Sequence, residues 1–497
     1  MRHGALPSIL LATGIAVALA APGVQAQVRD DLVIGVTVEP PHLDPTTHVA
    51  GSIREIVYAN VYEGLTLTDE NGQPYPALAE SWEISEDGLT YTFHLREGVT
   101  FHDGTSFEAS DVQFTYDRAR GPDSQNAGVR LFSAIDSIET PDDRTVVIHL
   151  SRPDGSFIYN MGSADAAIVS PESVESLTTD PVGTGPFQFV EWVRGDRITL
   201  ERYDDYWGDP AQLSEVTFRI ITDPQAQVAA LRTGEIDVFP NMGAPELLGE
   251  FEADDDFVVM LGFTEGEAIL ALNHRREPYS DVRVRQALTH AVDREAVIQG
   301  ALAGYGQVIG SHYPPNLPDY VDYSGLYPYD PARAQELLAE AGYADGFEAQ
   351  LILPPFPYAR RAGEIIQAYY AQVGVDLSIE VYQGPQWLTD VFREFIYDMT
   401  VIAHTEPFDF GNYARDDWYI GYDNDEFDAV IEQYTLSNDP EERGELAREA
   451  QRILAEDAVV VFLFQLPKTG VARAGIEGLW LNSPVQANDV TEAYWAE

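Results

Sequence analysis

Residues Tyr62–Thr115 read YEGLTLTDENGQPYPALAESWEISEDGLTYTFHLREGVTFHDGTSFEASDVQFT, and the fold is decided here. Leu89-Thr90-Tyr91-Thr92-Phe93-His94-Leu95 alternates apolar and polar side chains, the period of a half-buried strand. Glu97-Gly98 is expected to turn the chain into a further strand at Val99-Thr100-Phe101. Gly98, Gly104 and, further on, Gly185 suit turns, whereas Tyr62, Trp82, Tyr91 and Phe93 read as core. Arg144–Leu150 is another strand, so residues 60–180 are predicted to be rich in antiparallel strands.

Outside this region the pattern changes. Asp31–Val38 reads as a short buried strand, stopped by a loop in which Pro40, Pro41 and Pro45 forbid regular structure. Val216–Ile221 is a strand. Asp223-Pro224 then offers a capping side chain and a proline at the first helical position, Gly234 ends that helix, and Ile236–Phe239 returns as a strand. Such a β-α-β unit favours parallel pairing. A helix from Ser280 carries Val284, Leu288, Ala291 and Val292 on one face. Another begins at Asp330-Pro331 and ends at Gly342. A third, around 358–373, lies between strands Gln350–Leu353 and Asp376–Val381. The second half is therefore an α/β lobe.

Composition narrows function. The 497 residues carry 82 acids against 29 bases, a net charge of −53, and Lys468 is the one lysine. Such a chain repels nucleic acids and anionic membranes. With no cysteine, disulfides, thiolate metal sites and cysteine lipidation are excluded. Self-repulsion at this charge is relieved by salt, which shortens the Debye length from about 8 Å at physiological ionic strength to about 3 Å at 1 M. The acid-rich, lysine-poor composition is accordingly read as halophilic. Arg2, the apolar run Ile9–Ala21 and Val24-Gln25-Ala26 form a secretory signal with cleavage after Ala26, too short to span a membrane. Without a lipid cysteine or an anchor, the periplasm is the compartment expected to retain the chain.

No enzyme motif stands out. There is no G-x-S-x-G or H-E-x-x-H, and Lys468-Thr469 lacks the glycines of a phosphate loop. Gly183-Thr184-Gly185 is a turn rather than a dinucleotide fingerprint, because no third glycine follows. The ten histidines include His42 and His48 in the first loop and His404 beside Glu406; a transition-metal site is the alternative for these, and the reading taken is loop or core residues with hydrogen-bond partners. No cofactor, metal or catalytic residue is expected.

Tyr62–Thr115 closely resembles the signature region of the family 5 extracellular solute-binding proteins, the peptide/nickel-type receptors of ABC importers. Three further segments agree in order: Val182–Phe187, Ala271–Ala287 and Tyr329–Leu338. The resemblance implies the two-lobed periplasmic binding protein fold (type II, hinge closure) with an extra strand-rich domain in the first lobe. Residues 1–26 would be signal peptide. Residues 27–57, 181–267 and 468–497 would form lobe I, 58–180 the extra domain and 268–467 lobe II. It implies a monomer that captures a peptide-like or other small polar solute between its lobes and delivers it to permease subunits in the inner membrane.

In similar proteins the ligand touches the loop after the first strand and a late segment of the second lobe. Here those are Glu39–Thr47 and Gln383–Tyr422. The candidate contacts are Glu39, His42, Trp387, His404, Glu406, Asp409, Tyr413, Arg415, Trp418 and Tyr422: flat aromatics for contact area, charged groups for polarity. Replacing Trp387 and Trp418 together by alanine is expected to weaken binding and leave the fold intact. Peptide-binding relatives carry W-x-x-D-Y-x-[DE]-P in the late segment, with the Asp receiving the peptide ammonium. Aligned on Glu406-Pro407, this chain has Ala403 at that position and His404 at the Tyr, so the anchor is missing there. An oligosaccharide or a metal chelate is the alternative ligand, and a secreted hydrolase the alternative of another class, which turnover would reveal. The halophilic reading has its own test: the melting temperature should rise through a series from dilute buffer to molar salt, and undiminished stability at low salt would contradict it.

Overall fold

The computed structural model describes residues 29–496 except 49 and 407, together with Met1; the expected signal peptide lies outside the described residues. Its frame is one long sheet. In spatial order the strands are Val375–Val381, Phe347–Leu353, Met399–His404, Phe257–Leu272, Val461–Arg473, Val238–Phe239, Asp31–Val36, Glu215–Ile220, Arg197–Arg202 and Phe187–Val193, with Gln307–Val308 pairing beside Val461–Arg473.

Two of these strands run through both lobes. Phe257–Phe263 pairs antiparallel with Arg473–Pro467, and Glu267–Leu270 pairs with Gln465–Val461, but the register breaks between Phe263 and Glu267. Side chains bridge the break: Thr264 Oγ1 donates to the Leu466 carbonyl (2.7 Å), and Gln465 Nε2 to the Thr264 carbonyl (2.6 Å). Hydrophobic clusters part at the same place. Those on one side end at Met260, Val471 and Ala472, and those on the other begin at Ala268 and Phe464.

Lobe II shows why its crossing strand is a continuous apolar run at Ala268–Leu272. Ala268, Leu270 and Leu272 enter one core cluster while Ile269 and Ala271 enter the other, so period two feeds both faces of a sheet covered by helices. Leu351 and Leu353 against Ile352 repeat the pattern. Helix Pro331–Glu340 starts where Asp330 accepts from Ala332 N and Arg333 N; helix Pro357–Ala371 is the crossover that joins the paired parallel strands Phe347–Leu353 and Val375–Val381. Each such cap contributes about 1 kcal/mol.

In lobe I, helix Pro224–Thr233 is capped by Asp223 and ends on Gly234 at φ +77°. Its flanking strands are parallel, as their crossover requires, but Asp31–Val36 lies between them and pairs with both. The strand-rich unit is a four-stranded antiparallel sheet in the order Ala79–Ile84, Thr90–Leu95, Thr145–Leu150, Ile135–Asp142, with Tyr91 and Phe93 in its own core. The expected strand at Val99–Phe101 does not form; Thr100 makes only an isolated bridge to Ser106. The reason is local: Asp103 accepts from Thr105 N and Oγ1 and folds the chain into a tight turn through Gly104 at φ +84°. Gly185 acts through close approach, not through a left-handed turn. A side chain there would meet the Asn60 carbonyl at 2.5 Å, and one at Gly183 the Val61 carbonyl at 1.9 Å.

The lobes are closed on one another. Arg361 of lobe II clasps Glu246 (2.8 and 3.2 Å), Tyr305 donates to Glu252 (2.8 Å), and Gly155 N to the Thr435 carbonyl (2.9 Å). Tyr91 OH reaches Asn438 (2.9 Å), and Tyr159 packs edge-on against Phe408. An exposed pair such as Arg361–Glu246 contributes only about 0.2–1 kcal/mol, and together these contacts can bias an equilibrium between open and closed forms. Arg361→Ala combined with Asn438→Ala should raise the radius of gyration in small-angle scattering and weaken ligand binding about three- to tenfold. An unchanged radius and affinity would show that these contacts do not hold the closed form.

Candidate ligand-binding site

A cavity of about 320 Å³ lies between the lobes at the strand break. Glu55, from helix Gly51–Val57, faces it on the lobe I side, Phe356 and Tyr358 on the lobe II side, and Thr264, Glu265 and Lys468 on the crossing strands. Phe356 and Tyr358 stack with rings 6° from parallel and make the apolar wall. Tyr358 is fixed by its hydroxyl, which accepts from Ala403 N (2.9 Å).

The floor is electrostatically unusual. Glu265 is 3% exposed, and neither carboxylate oxygen has a hydrogen-bond partner among the described residues. Burial, with the field of Asp409 added, pushes its carboxyl up to about 8. Burial also raises the Glu55 carboxyl, with Lys468 opposing. Lys468 is itself brought down to about 8 by burial, and its ammonium donates to the Trp480 and Asn482 carbonyls (2.6 and 3.2 Å). Tyr159, from the strand-rich unit, also has a buried hydroxyl without a partner, and burial together with Glu265 raises it. The cleft thus offers an uncompensated carboxyl, and the Tyr159 hydroxyl lies within its field but outside the cavity lining.

Behind the cleft, lobe II holds a second polar group. His312 Nε2 lies 2.7 Å and His404 Nδ1 3.3 Å from the two oxygens of Asp409. Tyr413 OH lies 3.1 Å from His312 Nδ1, and Tyr419 OH 2.9 Å from His404 Nε2. Burial alone raises the Asp409 carboxyl, but the two imidazoles outweigh it and hold it below the usual carboxylate range. Glu267 stands close by with Oε2 unpartnered.

The structure therefore brings His404, Asp409 and Tyr413 into one cluster, with Trp418 packed on His404 and exposed Glu406 at its edge. The other expected residues lie apart. Glu39 Oε1 accepts from Trp192 Nε1 (3.1 Å) and Gly195 N (2.8 Å), tying the first loop to a neighbouring hairpin. His42 accepts from Asp44 N and packs on His48. Arg415 pairs with Asp417 beside Trp418, and Tyr422 bonds Asp457 and Asn424. None of the ten faces the cavity. Trp387 is 5% exposed and its indole donates to Thr400 (3.1 Å), so its truncation would open a core cavity at a cost of about 3–5 kcal/mol. The double tryptophan change is thus a folding lesion rather than a clean probe of binding. Glu55, Glu265, Tyr358 and Lys468 were not foreseen. Two signals pointed to them: a lone lysine, and two glutamates in Gly262-Phe263-Thr264-Glu265-Gly266-Glu267 just before a wholly apolar strand.

A two-lobed α/β molecule closed over a solute-sized cleft at its crossing strands is a hinge-closing binding protein. The family described as bacterial extracellular solute-binding proteins, family 5 Middle, matches residues 73–426, and the chain belongs to that family. It is 32% identical over 481 residues, 91% of this chain and 92% of the relative, to a glutathione-binding protein of Pectobacterium atrosepticum. Among solved structures, the periplasmic binding protein DppA of Helicobacter pylori in complex with the peptide STSA superposes with a TM-score of 0.79 at 28% identity, covering 95% of this chain and 99% of that one. NikA of Brucella suis in complex with Fe(III)-EDTA gives 0.83 at 25% identity, covering 94% and 99%.

Glu265 sets a pH signature. Its unfolded carboxyl titrates near 4.3 or so, and the folded one at about 8. Between these values the folded chain holds the extra proton, so stability falls as pH rises. Melting curves of the ligand-free protein from pH 5 to 8.5 should slope downward more steeply than those of Glu265→Gln. The variant should be the more stable at pH 8.5 by on the order of 1 kcal/mol, about 2 °C. Parallel curves would contradict the burial of an uncompensated carboxyl.

Proposed function

We propose that the protein is the periplasmic receptor of an ABC importer for a small, peptide-like solute bearing a free amine, which Glu265 receives. The carrying observation is the Glu265 carboxyl, facing the cleft with both oxygens unpartnered. It offers an anchor for an ammonium group that Ala403 does not provide. An ammonium there would compensate the carboxylate and drive off its proton, so binding should release a proton and tighten as pH approaches 8. The Phe356–Tyr358 wall supplies an apolar contact. The cavity is at the small end of the ~300–1,000 Å³ common for ligand sites, which favours a short solute over a long peptide.

Ligand bridging of both lobes stabilises the closed form, and the permease reads that form. No covalent step is required, and the receptor acts as a monomer. The N-terminal apolar segment and the extracellular family support export to the periplasm. The glutathione-binding relative and the peptide-bound neighbour support a peptide-like ligand.

Thermal-shift and calorimetric screens should show stoichiometric binding of di- or tripeptides with free amines, with melting raised by several degrees at 100-fold excess over Kd. N-acetylated versions should lose about 10- to 100-fold in affinity, as should Glu265→Gln with the free amine. Equal affinity for acetylated peptides, or selective stabilisation by oligosaccharides or metal chelates, would overturn the amine assignment. Product release would point to a hydrolase.

A further inference from the structure

The cluster behind the cleft has a geometry that ordinary hydrogen bonding does not exhaust. Four side chains from three separate stretches converge: Glu267 on the crossing strand, His312 in the loop after Gln307–Val308, and His404 and Asp409 in the late segment. Potential ligand atoms of Glu267, His312 and Asp409 lie within 4.8 Å of one another, as do those of His404, Glu406 and Asp409. All four converging side chains are buried; Glu267 is 2% exposed.

Each imidazole turns one nitrogen to Asp409 and has a tyrosine hydroxyl on the other. A hydroxyl can donate or accept, so Tyr413 and Tyr419 support either tautomer, including the one that leaves the inward nitrogen with its lone pair. Metal-binding histidines are held in this way, by a partner on the second nitrogen that fixes the ring. The independent observation is Glu267. Its Oε2 is buried beside this group without any hydrogen-bond partner among the described residues.

We propose that Glu267, His312, His404 and Asp409 form a resident site for a divalent transition-metal ion of the zinc type. Two imidazoles with two carboxylates suit zinc, nickel or cobalt, and not calcium or magnesium, which take oxygen alone. At metal–ligand distances of about 2.0–2.1 Å, tetrahedral donors stand about 3.3 Å apart. His404 and Asp409 already stand at 3.3 Å, whereas the 2.7 Å contact of His312 with Asp409 must lengthen as the ion replaces its proton. None of the four faces the ligand cavity, so the ion is a brace and not the cargo. It would tie the crossing strand to the late segment, two residues from Glu265 and one from Thr405, both of which face the cleft.

The test uses the full chain freed of metal by chelator dialysis and titrated with Zn²⁺ at pH 7.5. One equivalent should bind, and Co²⁺ in its place should give the intense visible bands of a four- or five-coordinate nitrogen–oxygen site. His312→Gln and His404→Gln should each weaken Zn²⁺ binding about 100-fold. His94→Gln with His149→Gln, which removes two partly exposed histidines from the strand-rich sheet, should leave it unchanged. No stoichiometric binding, or binding indifferent to His312 and His404, would overturn the proposal. If those variants fail to fold, the cobalt spectrum of the unaltered chain decides, and a weak six-coordinate spectrum refutes the site.

Discussion

The molecule depends on one pairing: two antiparallel strands that must be rigid in each lobe and interrupted between them. Ladder hydrogen bonds on either side of the break carry each lobe's core, while Thr264 and Gln465 replace the ladder with side-chain bonds across it. A continuous ladder would fuse the lobes into one slab, and a longer gap would let them drift. The break also explains the position of the cleft. The interrupted register leaves room for polar side chains: Glu265 stands in the break and Lys468 at its edge, opposite Gly262.

Features fixed by neighbours in sequence were legible. Asp223-Pro224 and Asp330-Pro331 are caps whose partners lie two or three residues on, and Gly234 closes its helix with its own backbone. The Tyr62-Glu63-Gly64-Leu65 signature is likewise a fold element. Glu63 is buried and accepts from Thr184, Tyr206 and Trp207, which explains why a signature acid need not touch ligand. Binding residues were not legible in the same way, because their roles depend on distant partners. Glu39 looks free in sequence until Trp192 takes its carboxylate, and Asp409 until His312 arrives from 97 residues away. Apolar runs pointed to the strands at Gln350–Leu353 and Asp376–Val381, but nothing in the pattern said that Glu265, on the crossing strand Phe257–Leu272, faces a cavity.

Charge is distributed with the same economy. Acids that are paired are held mainly by arginine, whose planar guanidinium can hold two oxygens at once, as Arg29 does with Asp31 and Asp237. Surface repulsion and cleft chemistry are thereby separated. The surface speaks to the medium, whereas the buried acids at the strand break speak to the ligand.

That separation leaves one amine side chain in the whole sequence, and it sits in the cleft, softened by burial. Amine-directed reagents, which on most proteins scatter over dozens of surface positions, would here address Lys468 and the chain's own N-terminus. Acylation of Lys468 requires the cleft to admit the reagent and its ammonium to leave the Trp480 and Asn482 carbonyls. The composition has thus placed a single chemical reporter on the moving part of the molecule, and the rate of its labelling reads how often the lobes part.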